Sequence, residues 1–169
     1  MNETLEAWNK ADEGTAFEAM MACCGARRWA SAMVALRPIH SVAELSEAAD
    51  RVWSTMKEAD WMEAFACHPR IGERKAAHAR AKSAAWSRQE QSSTKSAAEK
   101  VWAELAEGNA RYEERNGFTY IVCATGKSAD EILEILKRRL ANDRAAELLE
   151  AAEQQRQITQ IRLGKWLIE

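Results

Sequence analysis

Asn116-Gly117-Phe118-Thr119-Tyr120-Ile121-Val122-Cys123 decides the fold class, because it contains the only run rich in β-branched and aromatic residues. A long helical pattern from about Arg88 to Arg115 precedes it, and Asn116-Gly117 ends that pattern, since both residues tolerate the left-handed conformation. The run after Gly117 reads as a strand with no partner strand anywhere else in the chain. A lone strand leaves buried N–H and C=O groups unpaired, which is costly. The segment is therefore either an irregular turn or a stretch of backbone offered to a ligand.

Outward from that point, every other pattern is helical. Thr15 is read as the cap of an apolar run to Cys24, with Gly25 closing it, and Arg27 to Leu36 places Trp29, Met33 and Leu36 at helical spacing before Arg37-Pro38. Ser41-Val42-Ala43-Glu44 has the form of a capping box, opening a helix with Leu45, Ala48, Ala49, Val52, Trp53 and Met56 on one face. A short helix from about Asp60 to Cys67 follows, and another is expected near Glu73 to Arg80. Ser128-Ala129-Asp130-Glu131 caps a helix to about Leu140, and Asn142 is read as the cap of a last one running to about Leu163. The expectation is an all-α protein, one domain over residues 1–169 built from about seven or eight helices.

Composition bounds the function. The chain has 169 residues, 47% hydrophobic and 30% charged, with seven glycines and two prolines, the balance of a helical globular domain. A net charge of −2 gives no basic footprint for nucleic acid. Cys23, Cys24, Cys67 and Cys123 have no zinc or redox spacing and read as thiols of a reducing compartment. No apolar run reaches membrane-spanning length and no basic-then-apolar leader is present, so a cytoplasmic location is expected. Most of the seven tryptophans occupy core-facing helical positions, and Trp86 is the one placed to wall a site.

Four pieces interrupt or flank helices and carry useful chemistry: His68-Pro69-Arg70-Ile71-Gly72, Ser87-Arg88-Gln89-Glu90-Gln91, the run from Phe118 to Thr125, and Arg162. A His and a Glu can divide acid and base work, a Gln can bridge amides, and an Arg can fork onto a carboxylate. Each has a plain structural alternative. Ser87 with Glu90 is also a capping box, His68 also a helix-end residue, and Arg162 also a surface ion-pair partner. Cys67 and His68 are adjacent on a helix, pointing about 100° apart, which excludes a thiolate–imidazole pair. Lys127, at the mouth of the Ser128 helix, is placed to attract an anion there, and a solvated surface lysine is its plainer reading. His68 and His78 straddle a Pro/Gly break without metal-ligand spacing.

Taken in order, His-Pro-Arg-Ile-Gly, Ser-x-x-Glu-Gln and Asn-Gly-Phe-Thr-Tyr-Ile-Val-Cys-Ala-Thr-Gly-Lys-Ser resemble the OHCU decarboxylase family, in its bacterial type. OHCU is 2-oxo-4-hydroxy-4-carboxy-5-ureidoimidazoline, which the family converts to (S)-allantoin and CO₂ in urate breakdown. Cys24-Gly25-Ala26-Arg27-Arg28-Trp29-Ala30 and Asp60-Trp61-Met62-Glu63-Ala64-Phe65 are similar to further family landmarks. The resemblance implies an all-α, cofactor-free homodimer. It implies catalytic roles for His68 and Glu90, and substrate contacts from Pro69, Ser87, Gln91, Ile121, Val122, Cys123, Ala124, Thr125 and Arg162, with Arg156 the nearby competitor for the last role. Two departures, Asn116 where the family has Phe and Ile39 after Arg37-Pro38, touch no proposed catalytic group. A non-catalytic helical module that binds a small ureido or amide ligand is the alternative the same residues allow.

Overall fold

The computed structural model describes residues 2–71 and 92–169. Among them lie eight helices and no strand: α1 Glu3–Lys10, α2 Glu13–Cys23, α3 Arg27–Ala35, α4 Val42–Ser54, α5 Glu58–Ala66, α6 Ser92–Asn116, α7 Ala129–Arg139 and α8 Arg144–Trp166. The all-α expectation holds. The helix expected near Glu73 to Arg80, the start of the long helix at Arg88, and Trp86 lie outside the described residues.

Local capping chemistry explains where the helices begin, and it shifts several expected starts. Helix α1, which no sequence signal above announced, is capped by Asn2, whose side chain accepts the Leu5 N–H at 3.0 Å. Asp12, not Thr15, caps α2: its carboxylate accepts both the Thr15 N–H (2.9 Å) and the Thr15 hydroxyl (2.6 Å). Ser41 caps α4 by accepting the Glu44 N–H at 3.1 Å, but Glu44 reaches one residue further back than a capping box requires, to the His40 N–H at 2.8 Å. The Ser128–Glu131 box is complete in both directions. Asn142 is not the cap of α8. Asp143 accepts the Ala146 N–H at 2.8 Å, and the Asn142 amide instead donates to Glu147 at 2.8 Å.

Two compact units divide the chain, Met1–Cys67 with Ala152–Glu169, and His68–Ala151. In the first, Leu5, Met20, Trp29, Met33, Leu45 and Phe65 form a fully buried core. Indole N–H groups tie its helices together: Trp8 donates to the Ala16 carbonyl, Trp29 to Ala49 and Trp53 to Ala152, at 3.0–3.1 Å. Those tryptophans are packing anchors, as expected. Arg37 closes the end of α1, donating to the carbonyls of Trp8 and Ala11 at 2.8 Å each, just before a cis Arg37–Pro38 bond.

In the second unit α6 packs on α7, with Leu105, Tyr112, Ile132 and Leu136 fully buried. Helix α6 ends as the sequence predicts. Gly117 takes φ +80° and its N–H closes on the Glu113 carbonyl at 2.8 Å. Residues 118–124 then run without regular structure until a turn at Gly126, φ +76°. The segment is irregular and not a strand, as the lack of a partner strand implied.

Candidate active site

His68 sits one residue beyond the C-cap of α5, half-buried, with Pro69 and Arg70 exposed beside it. What places this break is Arg70. Its guanidinium Nε lies 2.9 and 3.1 Å from the two oxygens of Glu113 on α6, and that bond holds the Glu113 carboxyl below its ordinary range. On the other side of the break, Cys67 packs against Gly25. A Cβ built on Gly25 would lie 2.8 Å from the Cys67 Cβ and closer still to its sulfur, so the approach requires glycine at residue 25.

The run after Gly117 belongs to the same unit as His68. Ile121, Val122 and Cys123 are buried, Ala124 is half-buried and Thr125 is exposed. Side chains reach in to hold this irregular backbone. Asn109 of α6 accepts the Tyr120 N–H at 3.0 Å and the Thr119 hydroxyl at 3.3 Å. The Tyr120 hydroxyl donates to the Ile132 carbonyl at 3.1 Å. Arg139 donates to the Ile121 carbonyl at 2.5 Å, and Lys127 to the Cys123 carbonyl at 2.9 Å. Lys127 is therefore a backbone anchor and not a purely solvated lysine.

Arg139 is itself part of a buried ionic group. Its side chain is 4% exposed and that of Glu147 is 0% exposed, and they meet at 2.9 Å. Glu147 also accepts the Tyr112 hydroxyl at 2.5 Å and the Asn142 amide at 2.8 Å, while the Arg139 guanidinium lies over the Tyr120 and Tyr112 rings at 5.0 and 5.7 Å. Burial, reinforced by the bond to Glu147, pushes the Tyr112 hydroxyl pKa up, so it remains a donor. Sequence reading missed Arg139, Glu147, Tyr112, Asn109 and Glu113. A usable signal existed for Arg139, which falls three residues after Leu136 and seven after Ile132, on the apolar stripe of α7.

Several backbone groups of the run have no partner among the described residues: the N–H of Ile121, the N–H and C=O of Val122, and the N–H of Ala124. Buried backbone groups in native proteins are nearly always paired. Donors and an acceptor without partners among the described residues, gathered in one short segment, are suited to a ligand rich in amide or ureido groups.

Arg162 lies in the other unit, on α8, half-buried and without a hydrogen bond or ion pair among the described residues. Arg156 is committed instead, to Glu153 through two bonds of 2.9 and 2.8 Å and to Asp50 at 2.9 Å. Cys23 and Cys24 feel the Arg162 charge, yet burial dominates and pushes both thiols up to about 11, so they stay protonated near neutral pH. Ser87, Glu90 and Gln91 lie outside the described residues. No helix among the described residues is long and apolar enough to cross a membrane.

A model of the family described as OHCU decarboxylase matches residues 9–164. The chain is 36% identical over 146 residues to the uric acid degradation bifunctional protein TTL of Arabidopsis thaliana, covering 85% of this chain and 44% of that protein. Over 55 residues it is 44% identical to the 2-oxo-4-hydroxy-4-carboxy-5-ureidoimidazoline decarboxylase of Amia calva, 32% of this chain and 31% of that one. The chain thus spans less than half the length of either relative. A crystal structure of OHCU decarboxylase in the presence of (S)-allantoin superposes with a TM-score of 0.70 at 30% identity, covering 88% of this chain and 96% of that one. The structure of an (S)-allantoin synthase shares the fold, with a TM-score of 0.70 at 16% identity over 96% of this chain and 53% of its own.

Proposed function

The chain belongs to the OHCU decarboxylase family, and on that footing we propose that it converts 2-oxo-4-hydroxy-4-carboxy-5-ureidoimidazoline to (S)-allantoin and CO₂. The observation that carries this reading is the set of open backbone groups at Ile121, Val122 and Ala124, in the same unit as His68. A ureido-substituted ring presents matching acceptors and donors. Arg162, uncommitted among the described residues, is suited to the substrate carboxylate.

The chemistry uses the substrate as its own electron sink. The bond from C4 to the carboxylate breaks, CO₂ leaves, and the electron pair forms a C4–C5 double bond while the C5=N electrons settle on the ring nitrogen, which takes a proton. The C4 hydroxyl then loses its proton as C5 gains one, leaving a carbonyl and a new stereocentre. His68 serves as the proton-transfer group at the C4 hydroxyl or the carbon, and Glu90 holds a substrate hydroxyl or N–H and sets the histidine's protonation state. Ser87, Gln91, Pro69 and the backbone of residues 121–125 fix one ring face, so the proton arrives from one side. No cofactor has a step in this scheme.

The reading extends to one catalytic domain over residues 1–169, supported by a family match that runs through both units. It extends also to a homodimer, a cytoplasmic location and the bacterial type of the family. The homodimer and the bacterial type rest on the family resemblance of the motif set, and the location on the cysteine usage and apolar patterning of the sequence.

Circular dichroism of a coupled uricase and hydroxyisourate hydrolase reaction tests the activity. Adding the protein should speed the appearance of the (S)-allantoin signal, and His68→Asn should abolish that gain with helical content unchanged. An unaltered racemic decay in the presence of folded wild-type protein would sink the reading. Binding of (S)-allantoin without any acceleration would favour the non-catalytic ligand-binding module.

A further inference from the structure

We propose that Lys127 and Arg139 are positioning residues that turn the N–H groups of Ala124 and Val122 into strengthened donors for a carbonyl oxygen of the ligand. This rests on the decarboxylase reading for the identity of the ligand, and on the geometry alone for the donors.

A carbonyl and the N–H of the following residue form one planar, conjugated peptide group, and in the trans form they point in opposite directions. Arg139 donates to the Ile121 carbonyl at 2.5 Å, so the N–H on that same peptide, that of Val122, points away from the guanidinium. Lys127 donates to the Cys123 carbonyl at 2.9 Å, so the N–H of Ala124 points away from the ammonium. Neither N–H has a partner among the described residues. The two cations therefore act on alternate peptides of one segment, and both act on the oxygen end.

Two effects follow. Fixing the carbonyl fixes the peptide plane, and with it the direction of the N–H. A cation at the oxygen also draws electron density toward that end, which makes the N–H a better donor; such cooperative strengthening is about 10–30% per bond. Charge-assisted bonds to the carbonyls make the effect larger than neutral ones would. The anchoring of Arg139 by Glu147 and Tyr112 keeps its end of the device rigid. During decarboxylation the substrate's electron pair moves into the ring system, so negative charge grows on its heteroatoms. Donors aimed at such an atom bind the transition state more tightly than the ground state, and their weakening shows in kcat more than in KM.

The test uses Lys127→Met, since Lys127 is exposed and its loss spares the buried core. Amide NMR of the protein titrated with (S)-allantoin should show shifts at both Val122 and Ala124. In Lys127→Met the Ala124 shift should fall while the Val122 shift persists, and Lys127→Arg should restore it. In turnover, Lys127→Met should lose about two- to eightfold in kcat with little change in KM, the fraction that a 10–30% weakening takes of the roughly 10²–10³ seen when an oxyanion donor is removed outright. No ligand-induced shift at either amide of the wild type, or an unaltered Ala124 shift in Lys127→Met, overturns the proposal. Wild-type protein that fails to accelerate the reaction while both amides respond to (S)-allantoin overturns the decarboxylase reading and supports this one.

Discussion

Arg139 and Arg156 make nearly the same bonds in two different places, and the contrast separates a buried ionic anchor from an exposed brace. Arg156 grips Glu153 in a fork and reaches across from α8 to Asp50 of α4, where Gln160 also donates at 2.7 Å. The side chains of this group are 33%, 46% and 41% exposed for Arg156, Glu153 and Asp50. Water competes for every bond, and the pair attraction is screened. Arg139 makes its ion pair with both partners buried, and one of its remaining donors goes to the backbone of the irregular segment, at the Ile121 carbonyl. Identical chemistry thus contributes little beyond local bracing at one place. At the other, its removal leaves a buried charge stranded.

The sharpest way to break that contrast is Arg139→Met. It leaves the Glu147 carboxylate buried without its cation, and breaking such a pair costs about 3–5 kcal/mol. Urea unfolding should register that loss, and a change below about 1 kcal/mol would mean Glu147 had found other compensation. Tyr112→Phe probes the same carboxylate more gently. It removes one charge-accepting hydrogen bond and should cost about 1.5–3 kcal/mol, read in the same unfolding assay. Arg156→Ala belongs to the exposed side and should cost no more than about 1 kcal/mol, shrinking further in high salt. The smallest effect is in pH. The bond from Arg156 holds the Glu153 carboxyl down to about 2, below its ordinary 4.5. A depressed carboxylate stabilises the fold above the unfolded pKa and loses that contribution as pH falls toward the folded one. The stability gap between wild type and Arg156→Ala should therefore narrow between about pH 4.5 and pH 2. A gap that widens in acid would reverse the assignment.

The same contrast shows what a linear reading reaches. Helix ends at Gly117 and Ser128 were legible because glycine conformation and capping are decided within three or four residues. Capping by Asp12 and Asp143 was misplaced onto Thr15 and Asn142, since all four residues are competent caps and local packing chooses among them. The segment from Phe118 to Thr125 announced itself by having no partner strand. Its supports did not. Lys137, Arg138 and Arg139 read together as a basic last turn complementing the dipole of α7, and only register on the apolar stripe separates the third from the first two. Ion pairs such as Arg70 with Glu113, 43 residues apart, leave no trace in either neighbourhood. Where His68 and the 118–125 run were concerned, unusual local chemistry carried the signal; the groups that hold them are ordinary residues whose value comes from convergence in space.

Gly25 and Cys67 have a consequence for how this chain can drift through sequence space. Their Cβ positions would lie 2.8 Å apart if residue 25 gained a side chain, and a real pair of carbons does not approach that closely. Shrinking Cys67 to alanine removes the sulfur but leaves the offending carbon in place. A side chain can therefore occupy one of the two positions and not both, and a mutant at residue 25 is rescued only by glycine at residue 67. A selection that reads helix packing in the first sixty-odd residues would thus act on the residue bonded directly to His68. In lineages where position 25 varies, position 67 should vary with it, as a clashing pair when both carry a Cβ and a compatible one when the glycine changes sides.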